Sequence, residues 1–111
     1  KKEEIEVYCV GWSDWFSIAQ CRIDLIKIDI EGGEFELIPA MKDYLHSARP
    51  TVYLSLHAAF IGEGEKHRKL AEIAEVMSAY RHCYDETGQP VTMKALADTS
   101  RDQFRSFLFT D

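Results

Sequence analysis

A chain of 111 residues, 46% hydrophobic and 29% charged, has room for one domain with a modest core. Thirteen Lys plus Arg against nineteen Asp plus Glu leave a formal charge of −6. That balance argues against nucleic acid as a bulk partner, because phosphate binding needs clustered cations. No apolar run approaches the length of a membrane span and no signal peptide is visible. Three cysteines (Cys9, Cys21 and Cys83), odd in number and without CxxC spacing, fit a reducing, cytoplasmic compartment.

The first apolar segment, 5–10, alternates like a strand, with Cys9 as a small buried thiol, and either pairs elsewhere or stays loose. Gly11 ends it, and Ser13 is placed to cap a short helix over 14–19. Residues 22–30 form a near-continuous aliphatic run, which predicts a central strand covered on both faces. Gly32 and Gly33 permit a sharp turn after it. Phe35, Ile38, Met41 and Leu45 then follow helical spacing. Pro39 divides that run into a short helical turn and a helix that it would begin.

Pro50 restarts the chain in extended form, and 51–57 reads as a second buried strand. The two strands and the helix between them make a right-handed βαβ unit. Residues 61–65 read as a flexible loop and 66–80 as a helix, with Leu70, Ile73, Met77 and Tyr80 on one stripe. A strand over 81–85 carries Cys83, a second buried thiol, and turns at 87–90. A polar, partly helical stretch over 98–105 leads to a closing strand at 106–110. The expected fold is α/β: a mixed sheet of about four main strands with flanking helices, in three layers. Segments 23–30 and 51–57 should be parallel neighbours, and 81–86 and 106–110 an antiparallel edge.

Asp29 and Glu31 fall at the carboxyl end of the first buried strand, where ligands bind in open α/β sheets. Two carboxylates brought to one cavity by a turn can orient a nucleophile, accept its proton or hold a cofactor. The structural alternative makes Asp29 a helix cap and Glu31 a complement to the helix dipole. His57 ends the neighbouring strand, as a general base near neutral pH or as a satisfied structural histidine. Glu34, in the first helical turn, occupies a favourable place for an acid. Lys27 is placed at an edge or pairs with Asp24 or Asp29. Trp12 and Trp15 wall a pocket or complete a core. His46, His67 and His82 have no partner at metal-ligand spacing and read as surface residues. Asp29, Glu31 and His57 also make an oxygen-and-nitrogen set for a divalent ion.

The segment Leu25-Ile26-Lys27-Ile28-Asp29-Ile30-Glu31-Gly32-Gly33-Glu34 resembles the "lKiDvEGaE" signature of FkbM-type methyltransferases, enzymes of the class I, Rossmann-like fold. Gly33 stands where alanine is usual. Arg49-Pro50 and the strand ending in His57 are similar to the family's "rPvillEvH" segment, with Ser55 where an acid is common. Val10-Gly11-Trp12-Ser13-Asp14 resembles a degraded "tLD" stretch, and Phe107-Leu108-Phe109 matches a closing strand.

The resemblance implies S-adenosyl-L-methionine as cofactor and methyl transfer to a hydroxyl oxygen of a small molecule or sugar. It implies catalytic roles for Asp29, Glu31 and His57, with Glu34 as a second-tier candidate, cofactor contacts at Asp29 and Gly32, and no resident metal. A glycine-rich loop after one strand and an acid after the next, the usual cofactor grip of such enzymes, do not occur here. Residues 1–111 are therefore expected to be the C-terminal portion of a single methyltransferase domain, a partial Rossmann-like fold without the N-terminal cofactor-binding half. Alone, the chain should bind cofactor weakly, turn nothing over, and self-associate through the exposed sheet edge at 23–30. Two other classes stay open: a non-catalytic Rossmann-like interaction domain, and a metal-dependent transferase or hydrolase using Asp29 and Glu31.

Overall fold

The computed structural model describes residues 4–12, 14–15 and 21–111. In chain order the elements are β1 (Leu25–Ile28), α1 (Glu34–Ala40), α2 (Lys42–Ala48) and β2 (Thr51–Leu56), then a 3-10 turn (Ala58–Phe60). They continue with α3 (Glu63–Met77), β3 (His82–Tyr84), α4 (Met93–Ser100) and β4 (Arg105–Thr110). The strands form one mixed sheet in the order β1-β2-β4-β3. β1 and β2 are parallel neighbours, with Ile28 opposite Leu54. β4 is antiparallel to both β2 and β3. The α/β class, the mixed sheet with flanking helices and the parallel pair are as the sequence implies, and the whole is a partial Rossmann-like fold.

The expected antiparallel edge is present: β3 and β4 form it, with β4 as the inner strand between β2 and β3. The inward residues of β4 explain why: Phe107 and Phe109 are fully buried opposite Leu54 and Val52. Full burial of such a side chain is worth roughly 1.5–3 kcal/mol, which an edge position could not supply. β2, paired on both sides and burying Val52, Leu54 and Leu56 completely, is the most firmly held strand. β1 is the opposite case. It spans only four residues, has β2 as its one partner among the described residues, and leaves Leu25 61% exposed. The expected doubly covered strand over 22–30 is thus a short edge strand.

The three-layer expectation is also corrected. α1 packs against α3, and α3 against α4, so the described helices share one side of the sheet. Two right-handed crossovers running the same way along a sheet place their helices on the same face. Phe35, Ile38, Met41, Leu45, Leu70, Ile73, Met77 and Leu96 join the inward strand residues in one core.

Local differences have local causes. Pro39 lies inside α1 rather than opening a helix, and the break falls at Met41 (φ −89°, ψ 0°), which ends α1 and begins α2. A proline lacks the N–H that would bond back one turn, so the pair is one helix kinked near Pro39. α3 starts at Glu63, inside the expected loop. Its first turn is acidic, and Glu63–Lys66 (2.8 Å) and Glu65–Arg68 pairs brace it. The last polar helix spans Met93–Ser100 because the Thr92 hydroxyl accepts the Ala95 N–H at 3.1 Å. Residues 4–10 have no regular structure and are exposed, Cys9 included. Among the described residues no strand offers that segment a ladder. Trp12, Asp14 and Trp15 are helical, while Ser13 and most of the expected 14–19 helix lie outside the described residues. Trp12 packs edge-on to Tyr44 at 5.0 Å and against the core, the core-completing alternative, while Trp15, stacked on it at 5.7 Å, is exposed. No helix among the described residues is long and apolar enough to cross a membrane.

Candidate active site

The site lies where β1 and β2 end side by side. After Ile28 the chain runs through Asp29 and Ile30 into a tight turn closed by Gly33 N–H donating to the Ile30 carbonyl at 3.2 Å. The turn demands left-handed backbone twice in succession, at Glu31 (φ 52°) and Gly32 (φ 106°). After Leu56 the chain passes through His57 into the 3-10 turn, which Phe60 N–H closes on the His57 carbonyl at 3.0 Å. A Cβ built on Gly32 would lie 3.2 Å from Phe60 Cβ. The two turns therefore meet at a glycine.

His57 joins them chemically. Its Nε2 lies 3.2 Å from Asp29 Oδ1 and its Nδ1 3.2 Å from Glu34 Oε2. The imidazole side chain is 11% exposed, Asp29 is 49% exposed and Glu34 is fully buried. Glu34 Oε2 also accepts the His57 backbone N–H at 2.7 Å, and Oε1 accepts the Gly32 N–H at 2.9 Å. Nδ1 makes a hydrogen bond with Glu34, whereas Nε2 faces the half-exposed Asp29 at 3.2 Å without one. A ring nitrogen left to exchange a proton beside an accessible carboxylate is what a proton-transfer pair requires.

The aromatic surroundings are exposed. Phe60 (67% exposed) has its ring centroid 6.0 Å from that of His57, and Phe104 (57% exposed) has its centroid at 4.8 Å. They give the Asp29–His57 pair an apolar rim of the kind small-molecule sites use.

Of the residues singled out from sequence, Asp29 and His57 come together. α1 has no side-chain cap, so Asp29 is not capping it. Glu31 is exposed and has no partner among the described residues. Gly32 commits its N–H to Glu34. Glu34 proves central; its first-turn position gave no sign that it would reach His57, which is 23 residues away in sequence. Phe104 was missed, since an aromatic in a polar stretch carries no motif. Ser55 has a reason of its own: its buried hydroxyl pairs with Ser106 at 2.8 Å across the β2–β4 register. His46 is half-buried rather than a free surface residue, with Nε2 2.8 Å from the Val76 carbonyl. Lys27 is exposed, while Asp24 pairs with Arg22 at 3.0 Å.

Among the described residues no group of three or more His, Cys, Asp or Glu is arranged to hold a metal ion. A cleft of about 420 Å³ lies at the other ends of β1 and β2, lined by Arg22, Asp24, Tyr44, Arg49 and Thr51 among others. Its charged groups are committed: Arg22 to Asp24, and Arg49 to Asp111 and the Ala79 carbonyl. The reactive arrangement is at the carboxyl ends.

Comparison with curated proteins and comparison with solved structures gave no match. Comparison with known protein families matches residues 3–86 to the methyltransferase FkbM domain. That span holds β1, the Glu31–Gly32 turn, β2 and His57, and ends before α4, Phe104 and β4. The match covers well over half of the sequence, and the chain belongs to the FkbM methyltransferase family.

Proposed function

We propose that this chain serves S-adenosylmethionine-dependent methyl transfer to a hydroxyl oxygen of a small molecule or sugar, with His57 as the proton acceptor. The observation that carries this reading is the imidazole held between Asp29 and Glu34 at the carboxyl ends of two parallel strands. When bound, S-adenosylmethionine supplies an electrophilic methyl group on a sulfonium centre. The residues fit such a cation: Asp29 and Glu31 are exposed carboxylates, and Phe60 and Phe104 offer aromatic faces. Asp29 and Gly32 border the cofactor, Gly32 by holding the turn that presents Asp29, because its N–H already serves Glu34.

The acceptor hydroxyl is placed against His57 Nε2, and its proton moves there as the oxygen takes the methyl group. Asp29 balances the charge that the ring gains, and the apolar rim keeps competing water from the oxygen. Glu31 orients the acceptor from the exposed side of the turn.

The test is methyl transfer from radiolabelled S-adenosylmethionine to a panel of hydroxylated acceptors, with His57→Ala and Asp29→Ala beside the parent. Loss of a positioned base predicts a fall in kcat of at least about 100-fold for His57→Ala. Unchanged transfer by either variant sinks its assigned role. Absence of both cofactor binding and transfer in any form of the protein favours the interaction-domain alternative. The unpartnered edge of β1 supports self-association as well, and size-exclusion elution that is independent of concentration would argue against it.

A further inference from the structure

A carboxylate with no exposure to water needs a reason to be there, and Glu34 is the one fully buried acid in the described chain. Helix α1 does not supply the reason. Glu34 lies in its first turn, yet the helix has Gly33 at its N-cap and no side-chain cap bond. All three groups that Glu34 accepts from lie on the two turns of the site: Gly32 N–H, His57 N–H and His57 Nδ1. Removing a carboxylate from water is expensive unless donors replace it, and here each replacement donor is a part of the site.

The consequence concerns the ring. An ionised carboxylate only accepts hydrogen bonds, so a ring nitrogen hydrogen-bonded to it carries the proton, and of the two nitrogens only Nδ1 makes such a bond. Glu34 thereby fixes Nδ1 as N–H and leaves Nε2 as the nitrogen that gains and loses a proton beside Asp29. The same oxygen, Oε2, holds the His57 backbone at 2.7 Å, so ring orientation and main-chain position are set by one atom.

We propose that Glu34 is the positioning residue of this site: its buried carboxylate holds His57 in the Nδ1–H tautomer and presents Nε2 to the reacting hydroxyl. This rests on the reading of His57 as proton acceptor. Glu34 itself touches neither substrate nor cofactor. The other groups facing the ring are Asp29 from the turn after β1, Phe60 from the 3-10 turn and Phe104 from the loop before β4. Of these only Asp29 carries an ionisable group, and it faces Nε2.

The test is nitrogen-15 NMR of the His57 ring from pH 5 to 9, in the parent chain and in Glu34→Gln, with steady-state kinetics of both in a longer form that carries the cofactor-binding half. The parent should show Nδ1–H in the neutral ring. Glu34→Gln, which keeps size but gives up one acceptor oxygen, should shift the neutral ring toward Nε2–H. It should also lower kcat by about 100-fold while KM for cofactor and acceptor stays within about twofold. A neutral parent ring protonated on Nε2 overturns the proposal, and that measurement needs no variant to fold. An unchanged tautomer or an unchanged kcat in Glu34→Gln overturns it equally. A His57→Ala variant of unaltered rate would instead overturn the base role of His57, so the two failures are told apart.

Discussion

Gly32 and Phe60 bring the turns after β1 and β2 together, with only 3.2 Å between Phe60 Cβ and the position of a Cβ on residue 32. The glycine also has φ 106°, which L side chains rarely adopt. Gly32→Ala therefore meets two obstacles: a strained dihedral and a neighbour that must give way. The expected loss is about 1–3 kcal/mol, read as a lower urea midpoint with an unchanged slope. An unchanged midpoint would mean that the turns do not pack as described.

Glu31, one residue earlier, makes the opposite prediction. Its φ of 52° strains any side chain, and it has no partner among the described residues to offset that. Glu31→Gly should raise stability by a few tenths to about 1 kcal/mol. Under the proposed function methyl transfer should fall at the same time, because the acceptor loses an orienting carboxylate. Stability and activity moving in opposite directions is the signature of a residue kept for its chemistry. A variant more stable and fully active would return Glu31 to a purely geometric role.

How much of this was readable in advance varied with how local the cause was. β2 was legible because its apolar run is long and its burial needs no particular neighbour. β1 was overestimated, since the same aliphatic signal occurs in a strand paired on one side only, with Leu25 left 61% exposed. The insertion of β4 beside β2 depends on Phe107 and Phe109 meeting Leu54 and Val52, contacts between segments more than fifty residues apart. Asp29 and His57 stood out because strand ends are where such groups act. Glu34 and Phe104 take their meaning from His57, and nothing in their own neighbourhoods points to it.

Acid should weaken the C-terminal side of the sheet. The Asp85 carboxyl is held low by the Thr87 hydroxyl and then the Gln89 N–H. Glu86 is held low by Arg105, and Asp111 by Arg49. Each titrates lower folded than unfolded. The stability they add is therefore complete above the unfolded carboxylate range, about 4, and lost as pH falls through the folded values. Urea midpoints should hold steady from pH 7 to 5 and drop below 4. Arg105→Gln should soften that drop, and added salt should soften it further because these pairs are exposed. A midpoint insensitive to pH down to 3 would contradict the assignment.

The three thiols should divide by burial. Cys9 and Cys21 are exposed, whereas Cys83 is buried in β3 with its thiol pushed up to about 12 by desolvation and then by the nearby Asp85 charge. The thiolate is the reactive form, so Cys83 combines poor access with almost no nucleophile at pH 8. Iodoacetamide followed by mass spectrometry should find Cys9 and Cys21 alkylated in the folded chain. Cys83 should react only in denaturant, and rapid native labelling there would mean that the β3–β4 pairing opens readily.

Phe104 offers a test of the apolar rim that leaves the core intact. It lies in the short loop between α4 and β4, outside the segment matched to the FkbM domain, and its ring sits 4.8 Å from that of His57. A side chain 57% exposed contributes little to folding, so Phe104→Ala should change stability by about 0.5 kcal/mol or less. Its effect should fall on the acceptor. An exposed aromatic beside the imidazole supplies contact area for a bound ring and shields the reacting oxygen from water. The acceptor KM should rise several-fold, more for acceptors with an apolar face than for small alcohols, while Phe104→Trp retains affinity. Equal losses for every acceptor would point to a disturbed His57 instead. No loss at all would leave the apolar contact to Phe60, the other aromatic beside His57 among the described residues.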